Sequence, residues 1–598
     1  MIASPLERLS NHARGWSTVA TLLALVVLSG ALFFFRLGTP GLFDADEPAY
    51  AQAAREMLET GDWVTPHFNG QPRFDKPILF YWLLTLSYRV FGVSEFAARF
   101  WSALAAVILV GLLSSAGERW FGPPAGFVTG MAFMANLLSA LLARAAVTDM
   151  LLTLFVTAAI LAGVRAIQAD VIPGRRWART AWAAMGLAVL VKGPVGLLIP
   201  AMALGGSLLI FREWRTRIRR LLSWDSVILF GLITAPWYGL VLAANGRAFV
   251  EGFVIKHHLT RFAGVVSGHP GPLWFYLPVA LVGFFPWSAY LPQALSRAVS
   301  IGRTREVKDP ADRLLVACAC WALGVFLFFS LAGTKLPSYL FPAFPAMALL
   351  VGASAISNEK RTTDNRPRRD VDRLSVVGCQ FSIASVRRER VPEWPSRLSS
   401  WLIGITGFTL ALGFALVPRL LEMFRPLAGG VLDGVALPAG IAWWLAGLLA
   451  VGTTVSLAGA GPWRVAFLSV MMVLLLFTAE IVVAPRAYAI LQAALREFAQ
   501  DAGRILSPQD PVVAYGLNAP SIVFYSGRRV IPLGASAEGE EQLRRMAETG
   551  RPVVIITRSS QVGRLEQLPG LIRLGSRGGY AAYSTVRGGE TPGGRPRG

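Results

Sequence analysis

Runs of about 20 apolar residues, the length an α-helix needs to cross the hydrocarbon core of a bilayer, recur along almost the whole of this 598-residue chain. They fall at 19–35, 100–116, 125–142, 150–164, 227–243, 316–331, 343–356, 402–417, 441–458 and 465–483. Two further stretches are long but interrupted: 177–211 reads as two helices and 273–291 as one, about 13 crossings in all. The composition agrees, with 54% hydrophobic residues, a mean hydropathy of +0.51 and 16% charged residues, against about 25% in soluble domains. The first run follows Arg8 and Arg14 but ends in Phe-Phe-Phe-Arg-Leu-Gly without a small-x-small cleavage site, so it reads as a retained helix.

A net charge of +21 would suggest nucleic acid in a soluble protein. Here the basic runs sit in alternate connections, 165–179, 212–220, 297–313 and 360–397. That is the positive-inside pattern, which puts these loops and the N-terminus in the cytoplasm and leaves no nucleic-acid partner to explain. Cys318 and Cys320 lie in an apolar run and Cys379 in a basic loop, which implies neither a disulfide framework nor a metal cluster.

With that topology the unusual polar residues collect on the outer face. The first outer loop (37–97) brings Asp44, Asp46, Glu47 and Lys76; Arg144 and Asp149 bracket the next outer turn. Lys192, His257, His258, Arg261, His269 and Lys335 complete the set. Juxtamembrane acids cost desolvation energy unless they are solvated, paired or bound to something. A solvated loop or helix-cap role is the bland reading of Asp46. Lys192 interrupts an apolar run, where a lysine costs about 2.5–3.5 kcal/mol unless it snorkels to the interface. Several cations beside carboxylates on the face where no topology rule asks for them point to a phosphate or pyrophosphate group arriving from the lipid. Within the first loop, 48–58 and 77–90 read as amphipathic, interfacial helices whose aromatics anchor at the headgroups. Adjacent His257 and His258 do not share a face and lack zinc-like partners, which favours hydrogen bonding beside Arg261 over metal ligation.

The motifs Asp46-Glu47-x-x-Tyr50-Ala, Gly61-Asp-Trp-x-x-Pro66-His67, Lys76-Pro77-x-x-x-Tyr81-Trp82, Asp149, Lys192-Gly193, His258-x-x-Arg261-Phe, Phe285-Pro-Trp287 and Lys335-Leu-Pro337-x-Tyr339-x-x-Pro342 occur in this order. In order and type they resemble the GT-C superfamily of polyprenyl-phosphate-sugar glycosyltransferases, of the aminoarabinose (lipid A) transferase type, more distantly related to protein O-mannosyltransferases. The resemblance implies a membrane glycosyltransferase that moves a monosaccharide, with inversion, from a polyprenyl (undecaprenyl) phosphate donor to lipid A or another envelope glycan at the periplasmic face of the bacterial inner membrane. It implies catalytic acids at Asp46, Glu47 and Asp149, and donor-phosphate contacts from Lys76, Arg261, Lys335, Tyr339, His258 and Lys192. Tyr50, Tyr81 and Arg73 are expected at the substrate. No cofactor is required, with a divalent metal left open; membrane lipids surround the chain, and a monomer is expected. Two positions depart from the aminoarabinose pattern: Ala49 stands where an Arg is usual, and Arg73 where an aromatic is usual. Arg73 would favour an acidic sugar. The alternatives are a protein O-mannosyltransferase-like or O-antigen-ligase-like transferase, and a transporter of lipid-linked sugars.

The expected architecture is an α-helical integral membrane protein with interfacial helices in its first periplasmic loop and a small C-terminal α/β domain. The boundaries are a catalytic membrane domain over 1–484, containing a basic cytoplasmic loop at 357–398, a periplasmic domain over 485–588, and a Gly-, Pro- and Arg-rich tail over 589–598 expected to be disordered. In the C-terminal part, 511–516, 529–533 and 552–557 read as buried strands, and 542–550 and 559–568 as helices.

Overall fold

A computed structural model describes residues 5–169, 171–265, 269–364, 394–424, 439–458, 462–549 and 551–585. Most of the basic loop expected at 357–398, Cys379 and the tail expected at 589–598 lie outside the described residues.

Helix α1 (Pro5–Phe34) leads into a first connection that is itself structured: α2 (Asp46–Thr60), the short pair β1 (His67–Phe68) and β2 (Gln71–Pro72), and α3 (Leu79–Phe91). Ser94 starts α4 (Glu95–Phe121) by accepting the Ala97 N–H, which satisfies one of the open donors of a helix N-terminus. α4 packs tightly on the next element; a Cβ at Gly126 would lie 2.7 Å from the Ser114 carbonyl oxygen, so small residues set the helix separation. The single crossing expected at 125–142 is broken into α5 (Pro123–Met134) and α6 (Leu137–Ala143), bent by 65°. Asn136 makes the bend tolerable. Its side chain accepts the Ser139 N–H at 2.9 Å and donates to the Ala132 and Phe133 carbonyls at 2.9 and 2.8 Å, while the Trp287 indole donates to Ala135 O at 2.8 Å. Main-chain groups freed inside a bilayer need such partners.

α7 (Asp149–Gln168), α8 (Val171–Lys192) and α9 (Val195–Ile210) follow, with 177–211 divided as expected at Gly193-Pro194. After α10 (Trp214–Leu221), α11 (Trp224–Phe249) kinks at Gly246 and continues as a π-helix, Val250–Thr260, into α12 (Arg261–Ala263). Both adjacent histidines are therefore helical. The stretch expected as one helix at 273–291 belongs to a bent pair, Leu273–Gly283 and Trp287–Thr304 at 111°, containing α13 (Tyr276–Gly283) and α14 (Leu291–Thr304). α15 (Pro310–Leu331) opens with a reciprocal capping box between Asp309 and Asp312. A 3₁₀ segment, Pro337–Ala343, then enters α16 (Phe344–Asp364); α17 (Trp394–Phe424), α18 (Ala439–Ala458), α19 (Pro462–Thr478) and α20 (Ala484–Leu491) complete the helical part.

Among the described residues eight helices are long and apolar enough to cross a membrane, or ten if each bent pair is one span. The chain is a multi-pass membrane protein. Thirteen crossings would also require the shorter apolar helices Val19–Phe34 and Val195–Ile210, and α8, whose first half carries Arg175, Arg176 and Arg179.

The C-terminal part has α21 (Ala493–Ile505), β3 (Val512–Tyr515), α22 (Pro520–Ser526), β4 (Val530–Leu533), α23 (Ala537–Glu548), β5 (Val554–Arg558), α24 (Val562–Leu565), β6 (Ile572–Arg577) and β7 (Tyr580–Ser584). The sheet order is β4-β3-β5-β7-β6, with β3 parallel to both β4 and β5 and the last hairpin antiparallel. The three apolar strands coincide with the expected ones. The β6–β7 hairpin was not anticipated, because the mostly polar, largely unburied β6 lacks an apolar run. α23 starts five residues earlier than expected, where Ser536 caps it through the Gly539 N–H.

This part is docked on the first connection. Asn69 donates to Val530 O at 2.6 Å and accepts the Val530 N–H at 2.9 Å, so it occupies the open edge of β4. Tyr525 Oη accepts the Leu42 N–H at 2.8 Å, and Arg55 donates to Phe524 O at 3.0 Å. As a result α2 is wedged between α3 and α22 and buried along most of its length, whereas the sequence suggested a helix lying on the membrane surface.

Candidate active site

Two neighbouring acids at the start of α2 have opposite fates. Glu47 is 5% exposed and Arg99 3%. The Arg99 guanidinium grips both carboxylate oxygens at 2.8 Å and also donates to the carbonyls of Leu37, Pro40 and Gly41. Glu47 additionally accepts the main-chain N–H groups of Phe43 and Ala146 at 2.9 and 2.7 Å. A carboxylate so saturated has no free lone pair for a substrate, so the catalytic role expected for Glu47 is corrected to that of a tie between the first connection, α4 and the turn before α7. Asp46 occupies the first turn of the same helix, is exposed, and has no hydrogen-bond partner among the described residues.

Lys76 faces the same space. Its ammonium donates to Asp75 O at 2.9 Å, and it feels the charges of Asp75, Lys192, Arg261 and Asp46. Burial, reinforced by Lys192 and Arg261, lowers its pKa from 10.5 to about 8, against the pull of Asp75 and Asp46. Lys192 is held by Asp149 at 2.8 Å, and its ammonium lies 5.6 Å from the centre of the Tyr339 ring, with the Arg261 guanidinium at 5.8 Å from the same ring. Tyr339 is within reach of the charges of Asp149 and Asp46 as well. Thus Asp46, Lys76, Asp149, Lys192, Arg261 and Tyr339, drawn from five separate stretches, converge. Asp149 matches Lys192, so Lys76 and Arg261 are left without a carboxylate at ion-pair distance among the described residues.

His258 lies behind this group. One ring nitrogen is 2.6 Å from Phe253 O and the ring also bonds the Lys192 backbone. A Cβ at Gly193, where φ is +80°, would come within 2.8 Å of the imidazole. The glycine lets the turn reach the ring, and the ring orients Lys192; direct phosphate contact by His258 is not what this geometry provides.

Lys335 is corrected too. It is 4% exposed, and its ammonium donates to the carbonyls of Phe329, Ser330 and Ala332 at 3.1, 2.5 and 2.6 Å. It closes the C-terminal end of α15, where a cation opposes the helix dipole, and is not a donor left open for phosphate.

Tyr50, Tyr81 and Arg73, the residues expected at the substrate, lie against one another. Arg73 stacks over the Tyr50 ring at 5.3 Å, its Nε donates to Tyr81 Oη at 3.3 Å, and Nη2 pairs with Asp75 at 2.6 Å. That ion pair neutralises Arg73 and removes the reason to expect an acidic sugar. Asp75 was missed as a candidate although it adjoins Lys76 in Phe74-Asp75-Lys76-Pro77. Burial alone would raise its pKa, but Arg73, Lys76 and His257 together hold it below the usual carboxylate value; one of its oxygens is buried without a partner. Arg144 stands apart, donating to Phe33 and Phe35 carbonyls at the end of α1 and facing Glu480 at 3.4 Å. Among the described residues no three His, Cys, Asp or Glu side chains gather in a way that could hold a metal ion.

Against known proteins, a model of the dolichyl-phosphate-mannose-protein mannosyltransferase family matches residues 75–239, the stretch from Asp75 to α11. A crystal structure of ArnT from Cupriavidus metallidurans bound to undecaprenyl phosphate superposes with a TM-score of 0.71 and 25% identity, covering 96% of this chain and 98% of that one. The chain belongs to the GT-C superfamily. This GT-C chain is 33% identical over 349 residues to an undecaprenyl phosphate-alpha-4-amino-4-deoxy-L-arabinose arabinosyl transferase of Edwardsiella ictaluri, the match covering 56% of this chain and 58% of the relative. A protein of the same name from Pseudomonas aeruginosa is 33% identical over 339 residues, 56% and 59% of the two chains. The match thus spans less than two thirds of the length of these relatives.

Proposed function

We propose that this GT-C chain is an inverting glycosyltransferase of the inner membrane that moves a monosaccharide from undecaprenyl phosphate to lipid A or another envelope glycan on the periplasmic side. The observation that carries the reading is the Asp46 carboxylate, unpaired among the described residues, beside Lys76 and Arg261, two cations without carboxylate partners among those residues, in a chain whose relatives are named for transfer of 4-amino-4-deoxy-L-arabinose from such a lipid. In this mechanism an acceptor oxygen forms a bond to the anomeric carbon while the bond from that carbon to the phosphate oxygen breaks. Lys76 and Arg261 stabilise the charge that grows on the departing phosphate. Asp46 takes the proton of a hydroxyl acceptor, or positions a phosphate acceptor that has none to give. Lys192, oriented by Asp149 and His258, adds positive charge beside Tyr339. Tyr50, Tyr81, Arg73 and Asp75 line the sugar side. Residues 1–484 serve as the catalytic membrane domain and 485–588 as a periplasmic module bracing the first loop, in a monomer.

The test is mass spectrometry of lipid A and other envelope glycans from a deletion strain complemented with wild type or with Asp46→Asn. A sugar increment seen only with wild type supports the reading and identifies sugar and acceptor together. An increment on an envelope protein instead would shift the acceptor to protein, and an undiminished increment with Asp46→Asn would remove Asp46 from the chemistry.

A further inference from the structure

At the end of the bundle remote from Asp46, two cavities meet. α7 begins at Asp149 and ends at Gln168, α9 begins just after Lys192, and α15 runs from Pro310 toward Lys335. Three helices that each carry or adjoin a site residue at one end therefore converge at the other, about 30 Å away for a 20-residue helix. The first cavity, about 540 Å³, is polar and is lined by Arg217, Arg305, Lys308 and Arg313 together with Glu213. The second, about 470 Å³, is mainly apolar, with Leu209, Ile210, Val299, Val316 and Leu323 as its walls, and includes Arg212, Arg303 and Arg305. Arg305 lines both.

Of the acids that line the first cavity, Glu306 is exposed to solvent, while Glu213 and Asp309 are engaged. Glu213 is shared between Arg217 at 3.1 Å and Arg313, and Asp309 caps α15. Arg313 is only 1% exposed, with its guanidinium 5.4 Å from the Phe211 ring centre, yet its Nε and Nη1 are buried without a hydrogen-bond partner. Buried donors of a charged group left open are unfavourable. Exposed Trp214 and Trp224 bracket α10, as tryptophans do at headgroup depth. An apolar groove walled by membrane helices and leading into a cation-lined cavity fits a molecule with a hydrocarbon tail and an anionic head, which a free anion does not have.

We propose that this end of the bundle is a binding site for an anionic phospholipid, one acyl chain lying between α9, α14 and α15 and its phosphodiester seated at Arg212, Arg303 and Arg305, with headgroup oxygens accepting from Arg313. The site lies outside the transfer reaction and stands whether or not the transferase reading holds. It gives the chain a lipid that ties the starts of α10 and α15 together.

The experiment uses the full chain in neutral detergent, with thermal melting and native mass spectrometry after adding phosphatidylglycerol, phosphatidylcholine or inorganic phosphate. Phosphatidylglycerol should raise Tm and remain bound, while the other two do neither. The double variant Arg303→Gln/Arg305→Gln, at exposed positions, should melt like wild type without lipid and bind phosphatidylglycerol more weakly by about tenfold or more. Should that variant not fold, Arg212→Gln should give a smaller weakening in the same direction. Equal responses to the two phospholipids, a phosphate response matching that to phosphatidylglycerol, or undiminished binding by the variants would overturn the proposal.

Discussion

Adjacent carboxylates can differ completely in what they are able to do, and Asp46 and Glu47 are such a pair. Asp46→Asn should lower turnover by about 10²-fold or more, the scale of a lost general base, with an unchanged melting temperature, because nothing in the fold leans on that side chain. Glu47→Gln should do the reverse: Arg99 would keep its charge in a buried site, and breaking a buried pair costs about 3 kcal/mol, read as a lower Tm with activity falling only in step with folded protein. Lys76 gives a pH signature. Its ammonium titrates near 8, so its charge is present below that pH and lost above it. Activity at low donor concentration should fall on the basic side with an apparent pKa near 8, and Lys76→Arg, if active, should move that limb to higher pH. The aspartate, lysine and arginine types were legible from sequence because they break apolar runs. The pairing was not, since Arg99 lies 52 residues from Glu47 and Lys192 lies 43 from Asp149.

Among elements, the first connection does the positioning, and its ties are the natural points of attack. Asp44 accepts the Ser521 N–H at 2.8 Å and also bonds the Ser521 hydroxyl. Burial raises its pKa from 3.8 to about 6, against the lowering effect of those bonds. The folded state thus holds a proton that the unfolded chain has released, so the contribution is fully present below about pH 3.8 and is lost as pH rises through about 6. Thermal melts of wild type should lose stability across that window, and Asp44→Asn should remove that component. Lys335→Met should strand three carbonyls at the end of α15 and lower Tm, while the donor KM of the protein that remains folded stays close to that of wild type. A selective rise in KM would restore Lys335 to the phosphate site.

For the molecule as a whole, the C-terminal sheet is coupled to the site through one shared loop. Asn69 on the edge of β4, Tyr525 on Leu42 and Ser521 on Asp44 all fix residues that flank Asp46 and Lys76. Asn69→Ala should leave the Val530 N–H and C=O open, at about 1–3 kcal/mol. Hydrogen exchange should then quicken in both β4 and the 62–76 segment; a change confined to β4 would show that the module is not a brace.

The sequence by itself determined that the chain lives in a bilayer, where its polar residues gather, and which superfamily it belongs to. Helix length, charge alternation and motif order are local or one-dimensional, and each has a direct physical cause. Tertiary structure alone decided which of the gathered charges remain available. Glu47 and Lys335 looked like site residues because they are polar groups in apolar surroundings. The fold supplies Arg99 to the first and three carbonyls to the second, and among the described residues it leaves Asp46 without a cation, and Lys76 and Arg261 without a carboxylate, at ion-pair distance. Burial in a low-dielectric interior requires partners for a charge, and only the packed chain shows which charges already have protein partners.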